Sequence, residues 1–256
     1  MAIVTNLKSL TPRREVYKRE ITLVSSGFYN QKAFPGGKIT VYPWDSAVDD
    51  WFQTRLRQPK REYALWEVIE KVANLNGASY KEMPVGDIMT VLMVSRSIRN
   101  DCVIEYTSVC PNCQHKMVDK IAIPAELSKI GEKKADYPGY DEIILPDSKD
   151  VVRLRVLNVQ DEMVIAERKE EDKKAMPDTE ALILAPVLAV GGGKPESITE
   201  ITTWYRALSP KDATELSKQR AMIMPQLDSD IKILCDGCQQ EYKHTLDLQR
   251  DFFRVN

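Results

Sequence analysis

Four of the five cysteines fall in two C-x-x-C pairs, Cys110/Cys113 and Cys235/Cys238. A C-x-x-C turn at the tip of a β-hairpin points two thiolates the same way and offers backbone N–H groups to steady them. Pro111 and Gly237 are turn formers inside the two motifs. Neither motif alone satisfies a tetrahedral ion, which takes four ligands at metal–sulfur distances of about 2.3 Å. One ion shared by both motifs is the economical solution, with Cys110, Cys113, Cys235 and Cys238 as ligands and Zn2+ as the metal. Such a tetrathiolate site is closed and therefore structural. A [4Fe–4S] cluster on the same thiolates is a second reading, and reduced thiols without metal a third. An odd cysteine count argues against a secreted disulfide framework. The 121 residues between Cys113 and Cys235 exclude a compact finger and imply a clamp between distant parts of the chain.

The elements that must position these motifs read as a repeat. Shifting the sequence by 125 positions lays residues 83–123 over 208–248 without a gap. Asp87 then meets Asp212, Ile98 meets Ile223, Cys110 meets Cys235, Cys113 meets Cys238 and Gln114 meets Gln239. Five identities are weak alone, and the support comes from the order of elements. Each match is preceded by an alternating apolar stretch, KITVYPW from Lys38 and VVRLRVL from Val151, the period of a half-buried strand. Helix starts follow at Asp45 or Ser46 and at Asn158, where carboxylates in the first turn suit the helix dipole. Apolar helices are expected over residues 63–74 and 179–190, breaks at Gly77 and at Gly191-Gly192-Gly193, then helices over 85–97 and 210–222. A strand, a C-x-x-C turn and a returning strand close each half. Ile104, Tyr106 and Ser108 lead into Cys110, and Ile121 and Ile123 return. Ile231 and Ile233 lead into Cys235, and Leu246 and Leu248 return.

The expected fold class is therefore α+β, with internally duplicated strand–helices–β-hairpin units joined by a four-cysteine, zinc-ribbon-like metal site. Residues 1–35 form an N-terminal arm, 36–125 the first repeat, 126–150 a linker and 151–256 the second repeat. Cys102 aligns with Leu227 and reads as a buried small hydrophobe. His115 aligns with Gln240 and His244 with Asp119, so neither histidine belongs to the repeated pattern, and both read as surface or hairpin-packing residues. Trp44, Trp66 and Trp204 read as core, and Trp51 as core or an interface anchor.

Composition narrows the function. Lys and Arg number 36 against 38 Asp and Glu, so bulk charge names no nucleic-acid partner and no acidic disordered tail. The longest apolar run, ALILAPVLAV from Ala181, is half a membrane span and contains a proline. The first twenty residues carry no apolar core of a signal peptide, so the chain reads as neither exported nor membrane-spanning. Two histidines, neither near a Ser or Asp constellation, leave no acyl-transfer triad, and HExxH and GxSxG are absent. GGGK at Gly191–Lys194 lacks the Walker spacing and is a turn. The mixed run RKEEDKK from Arg168 is a solvated helix face. No enzyme is expected.

At this point the order of motifs resembles the baseplate hub subunit family of contractile-tailed, T-even-type bacteriophages. SSGFYNQKAFPGGKITVYPWDSAVDDW, PVGDIMTVLMVSRSIRND and CPNCQHKMVDKIAI carry the likeness in the first half. LPDSKDVVRLRVLNVQDE and the stretch from ALSPKDATELSKQ to the final Phe252-Phe253 carry it in the second. The likeness runs from about Ile21 to Phe253 and lies in the combination of motifs. The chain departs from the family pattern at Val24, Asp49-Asp50, the turn PQLD and the knuckle CDGC, none of which removes a cysteine. The resemblance implies a structural role in the tail baseplate or hub, among other baseplate proteins of a symmetric assembly. It places the chain in the virion after assembly in the host bacterial cytoplasm, with zinc carried onto the four matching cysteines. An assembly factor that departs before maturation is the alternative. A zinc-ribbon nucleic-acid-binding protein is a lesser one, because Lys116, Lys120 and Lys243 are offset by Asp119, Asp236, Glu241 and Asp247.

Overall fold

The computed structural model describes residues 17–98, 103–122, 129–171, 183–194 and 197–246. Among these residues the fold is α+β, with three apolar clusters. In the first, strands β1 (Arg19–Thr22), β2 (Lys38–Val41) and β3 (Ala73–Asn74) form an antiparallel sheet in that order. Ile39 and Val41 turn inward from β2 while Lys38 stays in solvent, as the alternation predicts. Helix α1 (Ser46–Arg55) starts where Asp45 accepts a hydrogen bond from the Val48 N–H at 3.1 Å. Two short helices, α2 (Ala64–Glu67) and α3 (Ile69–Val72), then lead into β3. The single helix expected over 63–74 is thus corrected. Ala73 turns extended, at φ −142°, and residues 73–74 complete the sheet beside β2. Helix α4 (Val85–Ser97) spans the expected residues and is buried nearly all round, from Gly86 to Met93.

Part of the expected N-terminal arm belongs to this core. Residues 19–22 are β1, and the loop behind it buries Leu23, Val24 and Phe34 completely or nearly so. Gly27 sits in that loop at φ 63°, where a Cβ would lie 2.8 Å from the Cβ of Phe34. Residues 1–16 of the arm lie outside the described residues.

The second cluster has the same plan. Strands β7 (Tyr140–Ile144), β8 (Val151–Arg155) and β9 (Val187–Val190) make a second antiparallel sheet, ordered β7-β8-β9. Residues 140–144, expected in a linker, therefore supply an edge strand. The helix expected over 179–190 is replaced at its end by β9. Pro186 has no N–H to continue a helix, its carbonyl accepts from the Arg155 N–H at 2.8 Å, and Val190 pairs with Val152. Residues 179–182 lie outside the described residues. Helices α6 (Ile198–Ala207) and α7 (Pro210–Ile223) complete the cluster around Leu145, Leu154, Leu184 and Leu216. Ser197 and Ser209 cap them.

The halves interlock. Helix α5 (Val159–Glu171) follows β8 in the chain, yet Val159 and Met163 pack into the first cluster. The Val159 N–H donates to the Met83 carbonyl at 3.1 Å, and the Tyr63 hydroxyl reaches the Met163 carbonyl at 3.4 Å. A two-residue strand, β10 (Gln226–Leu227), pairs with β6 (Lys129–Ile130) and runs against α4. Gly86 permits that approach, since a Cβ there would lie 1.8 Å from the Pro225 carbonyl oxygen. Trp44 and Trp66 are buried, whereas Trp51 and Trp204 are half-buried. No described helix is long and apolar enough to cross a membrane.

Candidate metal centre

Two hairpins build the third cluster. Strand β4 (Val103–Val109) pairs with β5 (Lys116–Ala122), and β11 (Asp230–Leu234) with β12 (Glu241–Thr245). Their inner faces meet through Tyr106, Cys110 and Met117 on one side and Ile233, Cys235 and Leu246 on the other. The Tyr242 hydroxyl and Ser108 Oγ lie 2.9 Å apart across the joint, and Tyr106 stacks on His244 with ring centroids 5.5 Å apart. A zipper of apolar and aromatic contacts thus brings together two turns that are 125 residues apart in sequence.

The two turns have one geometry. Cys110 N–H donates to the His115 carbonyl at 2.9 Å and Cys235 N–H to the Gln240 carbonyl at 3.0 Å. Gln114 N–H returns to the Cys110 carbonyl at 3.0 Å, and Gln239 N–H to that of Cys235 at 2.8 Å. Both glutamines take the left-handed backbone that side chains seldom adopt, at φ 61° and 59°. Their side-chain amides bond back to the carbonyls of Pro111 and Asp236, at 3.4 and 3.2 Å. Gln114 and Gln239 were visible in the sequence as an aligned pair, but their conformational role was not.

The four sulfurs lie within 4.8 Å of one another. Cys110 Sγ is 3.7 Å from Cys238 Sγ, and Cys113 Sγ is 3.6 Å from Cys235 Sγ. A tetrahedron with metal–sulfur legs of about 2.3 Å has edges of about 3.8 Å. These thiols are all free, and a disulfide would need sulfurs about 2.05 Å apart. Cys110 and Cys235 are buried, Cys238 is half-buried and Cys113 faces solvent. The Gln240 N–H, followed by Asn112, lowers Cys238 to about 6. The His115 N–H lowers Cys113, but desolvation and the three neighbouring thiols outweigh it and leave that thiol at about 12. A cation held by these four thiolates would be charge-compensated by them, and its binding would release protons.

Neither histidine is among the described side chains grouped closely enough to hold an ion. His115 packs beside the opposite turn, where a Cβ on Gly237 would come within 3.1 Å of its ring. A side chain at position 237 would therefore press on the neighbouring turn. Cys102 lies outside the described residues.

Two buried aspartates, Asp87 and Asp212, anchor the helices that precede the hairpins. Each sits in the first turn of the helix that leads into its hairpin, and each grips the loop between the first two strands of its sheet. Asp87 accepts from the Ser25 N–H at 3.0 Å and from the Ser25 hydroxyl. Asp212 accepts from the N–H groups of Asp147 and Ser148 at 2.8 and 2.9 Å. Their titrations differ. Burial pushes Asp87 up to about 6 against the opposing hydrogen bonds from Ser25. At Asp212 burial also raises the pKa, but the two N–H donors prevail and hold it below the usual carboxylate range.

The outer faces of the hairpins carry balanced charge. Lys120 pairs with Glu105 at 3.7 Å, Lys232 with Glu241 at 3.3 Å, and Lys243 with Asp230. Val109 and Leu234, each just before the first cysteine of its turn, are exposed.

A family model described as T4 bacteriophage base plate protein matches residues 53–254. No curated protein and no solved structure matches the chain.

Proposed function

Since the chain belongs to the T4 bacteriophage base plate protein family, a component of the virion tail, we propose that it is a non-catalytic structural subunit of the baseplate hub, stapled by one zinc ion. The observation that carries this reading is the family match over residues 53–254. The staple rests on the four sulfurs, whose spacing suits a single tetrahedral ion and is too tight for an iron–sulfur cubane, which holds its thiolates around a larger core. Its ligands are Cys110, Cys113, Cys235 and Cys238.

The two halves derive from one duplicated unit, with the ion near their pseudo-twofold axis. Matched three-stranded sheets, matched aspartate grips and matched cysteine turns support that reading. The first unit then begins at β1 and the second at β7. The partners are other tail proteins in a symmetric assembly. The ion-paired lysines of the hairpins speak for protein rather than nucleic-acid contacts.

Quantitative mass spectrometry of purified particles of the phage encoding this chain tests the role. Fixed stoichiometry per particle is expected. Abundance in infected cells with absence from particles would instead make the chain an assembly factor.

A further inference from the structure

A cleft of about 300 Å³ opens where the halves meet, between the first turn of α4, α5 and the C-terminal end of α7. Its apolar wall is Met89, Leu157, Met224, Leu227 and Leu246. Gly86 and Pro225, in backbone contact, fix the wall on one side. Two charged residues also line it, Glu162 from α5 and Arg220 from α7. No ion pair joins them, although each feels the other's charge. Arg220 is half-buried, its Nε is sealed from solvent, and no described residue hydrogen-bonds its guanidinium, so its terminal N–H groups are the ones a ligand in the cleft can reach.

Buried polar groups are nearly always paired, and a lone one asks for its partner. A guanidinium N–H at the wall of an apolar cleft is complementary to a carboxylate, the planar acceptor that arginine binds best. We propose that this cleft seats a segment of a neighbouring tail polypeptide, with an Asp or Glu carboxylate on Arg220 and an adjacent large apolar side chain against the methionine and leucine wall. This rests on the reading of the chain as a baseplate subunit. Glu162 sets the direction of the segment, because it repels a carboxylate placed on the α5 side. Met89 and Met224, flexible and polarisable, suit a wall that closes over an incoming side chain.

The test places a photo-crosslinking residue at Gln226, an exposed position on the cleft rim, in tagged full-length chain produced during infection. Adducts are mapped by mass spectrometry, and particle content is measured on the same sample. The expected result is an adduct to another phage tail protein, at an apolar residue within a few positions of an Asp or Glu. Its yield should fall at least about tenfold in Arg220→Met and stay near the parent's in Lys218→Met, an exposed lysine of the same helix outside the cleft. Unchanged metal content in both variants shows that they fold. No adduct to a tail protein, an adduct only to this chain's own residues 247–256, or a yield insensitive to Arg220→Met would overturn the proposal. Since the crosslinking is done in whole infected cells, an adduct on an assembly intermediate supports the cleft even if particles lack the chain. A chain present in particles without the adduct removes the cleft alone.

Discussion

Gln114 and Gln239 stand 125 positions apart and hold the same left-handed backbone, each with its amide turned back onto the carbonyl three residues earlier. The turn closes there, and its closure aims the two sulfurs of each motif at a common point. Most proteins place glycine at such a position. Here a long polar side chain takes it and offsets part of the backbone strain with a hydrogen bond.

That conformation predicts how Gln239 responds to change. Gln239→Gly keeps the backbone and loses only the amide bond, so metal affinity should change little. Gln239→Val puts a β-branched residue in a region costing about 1–2 kcal/mol, with a matching loss of stability. Competition titration with a chromogenic chelator ranks the two, and equal affinities would show that the left-handed turn does not set the site.

The proposed shared ion predicts that either half fails with the other. Cys110→Ser and Cys235→Ser should each lose the metal equivalent and lower the melting temperature by about 10 °C or more, in a single transition. The magnitude follows from apparent zinc-site energies of about 10 kcal/mol in small domains, much diluted in a chain with two other cores. Elemental analysis with calorimetry checks it. A colourless parent with one zinc per chain is expected, whereas a brown one with visible absorption would assign iron.

The aspartate grips predict opposite pH responses. Asp87 is raised in the folded chain, so folding takes up a proton there, and its contribution becomes more favourable as pH falls from about 6 toward the ordinary 3.8. Asp212 is lowered, so its contribution is present above the ordinary value and lost as pH falls through its own lower one. Asp87→Asn should therefore flatten the stability profile between about 6 and 3.8. Asp212→Asn should reduce stability at neutral pH. Urea melts across that range, at fixed metal occupancy, separate the two variants. Asp87→Ala should be worse than Asp87→Asn at every pH, since it leaves the buried Ser25 N–H and hydroxyl without their acceptor.

That the two cysteine motifs meet was the most legible part of the sequence, because residue type and spacing alone suggest it. Helices α4 and α7 were legible too, α7 through the proline at its first position. Pattern misled where sheet pairing overrode it. Apolar runs around residues 70 and 187 read as helix, but each ends as the third strand of a sheet, and a lone apolar run carries no record of the neighbouring strand that will claim it. The loop around Phe34 was hidden for a related reason. Its burial depends on Asp87, sixty-two positions beyond Ser25. The destination of α5 was hidden as well, since its sequence says that one face is apolar and not whose core that face fills.

The placement of α5 also bears on synthesis at the ribosome. The first core stays incomplete until Val159 and Met163 have emerged, well after its own strands and helices. Cys110 and Cys113 then wait a further 122 residues for Cys235. At about 5–20 residues per second, that interval lasts on the order of 6–25 s. Through it the nascent chain presents one cysteine pair without its partner pair and an unsealed apolar surface, so chaperones meet the first half before the second exists.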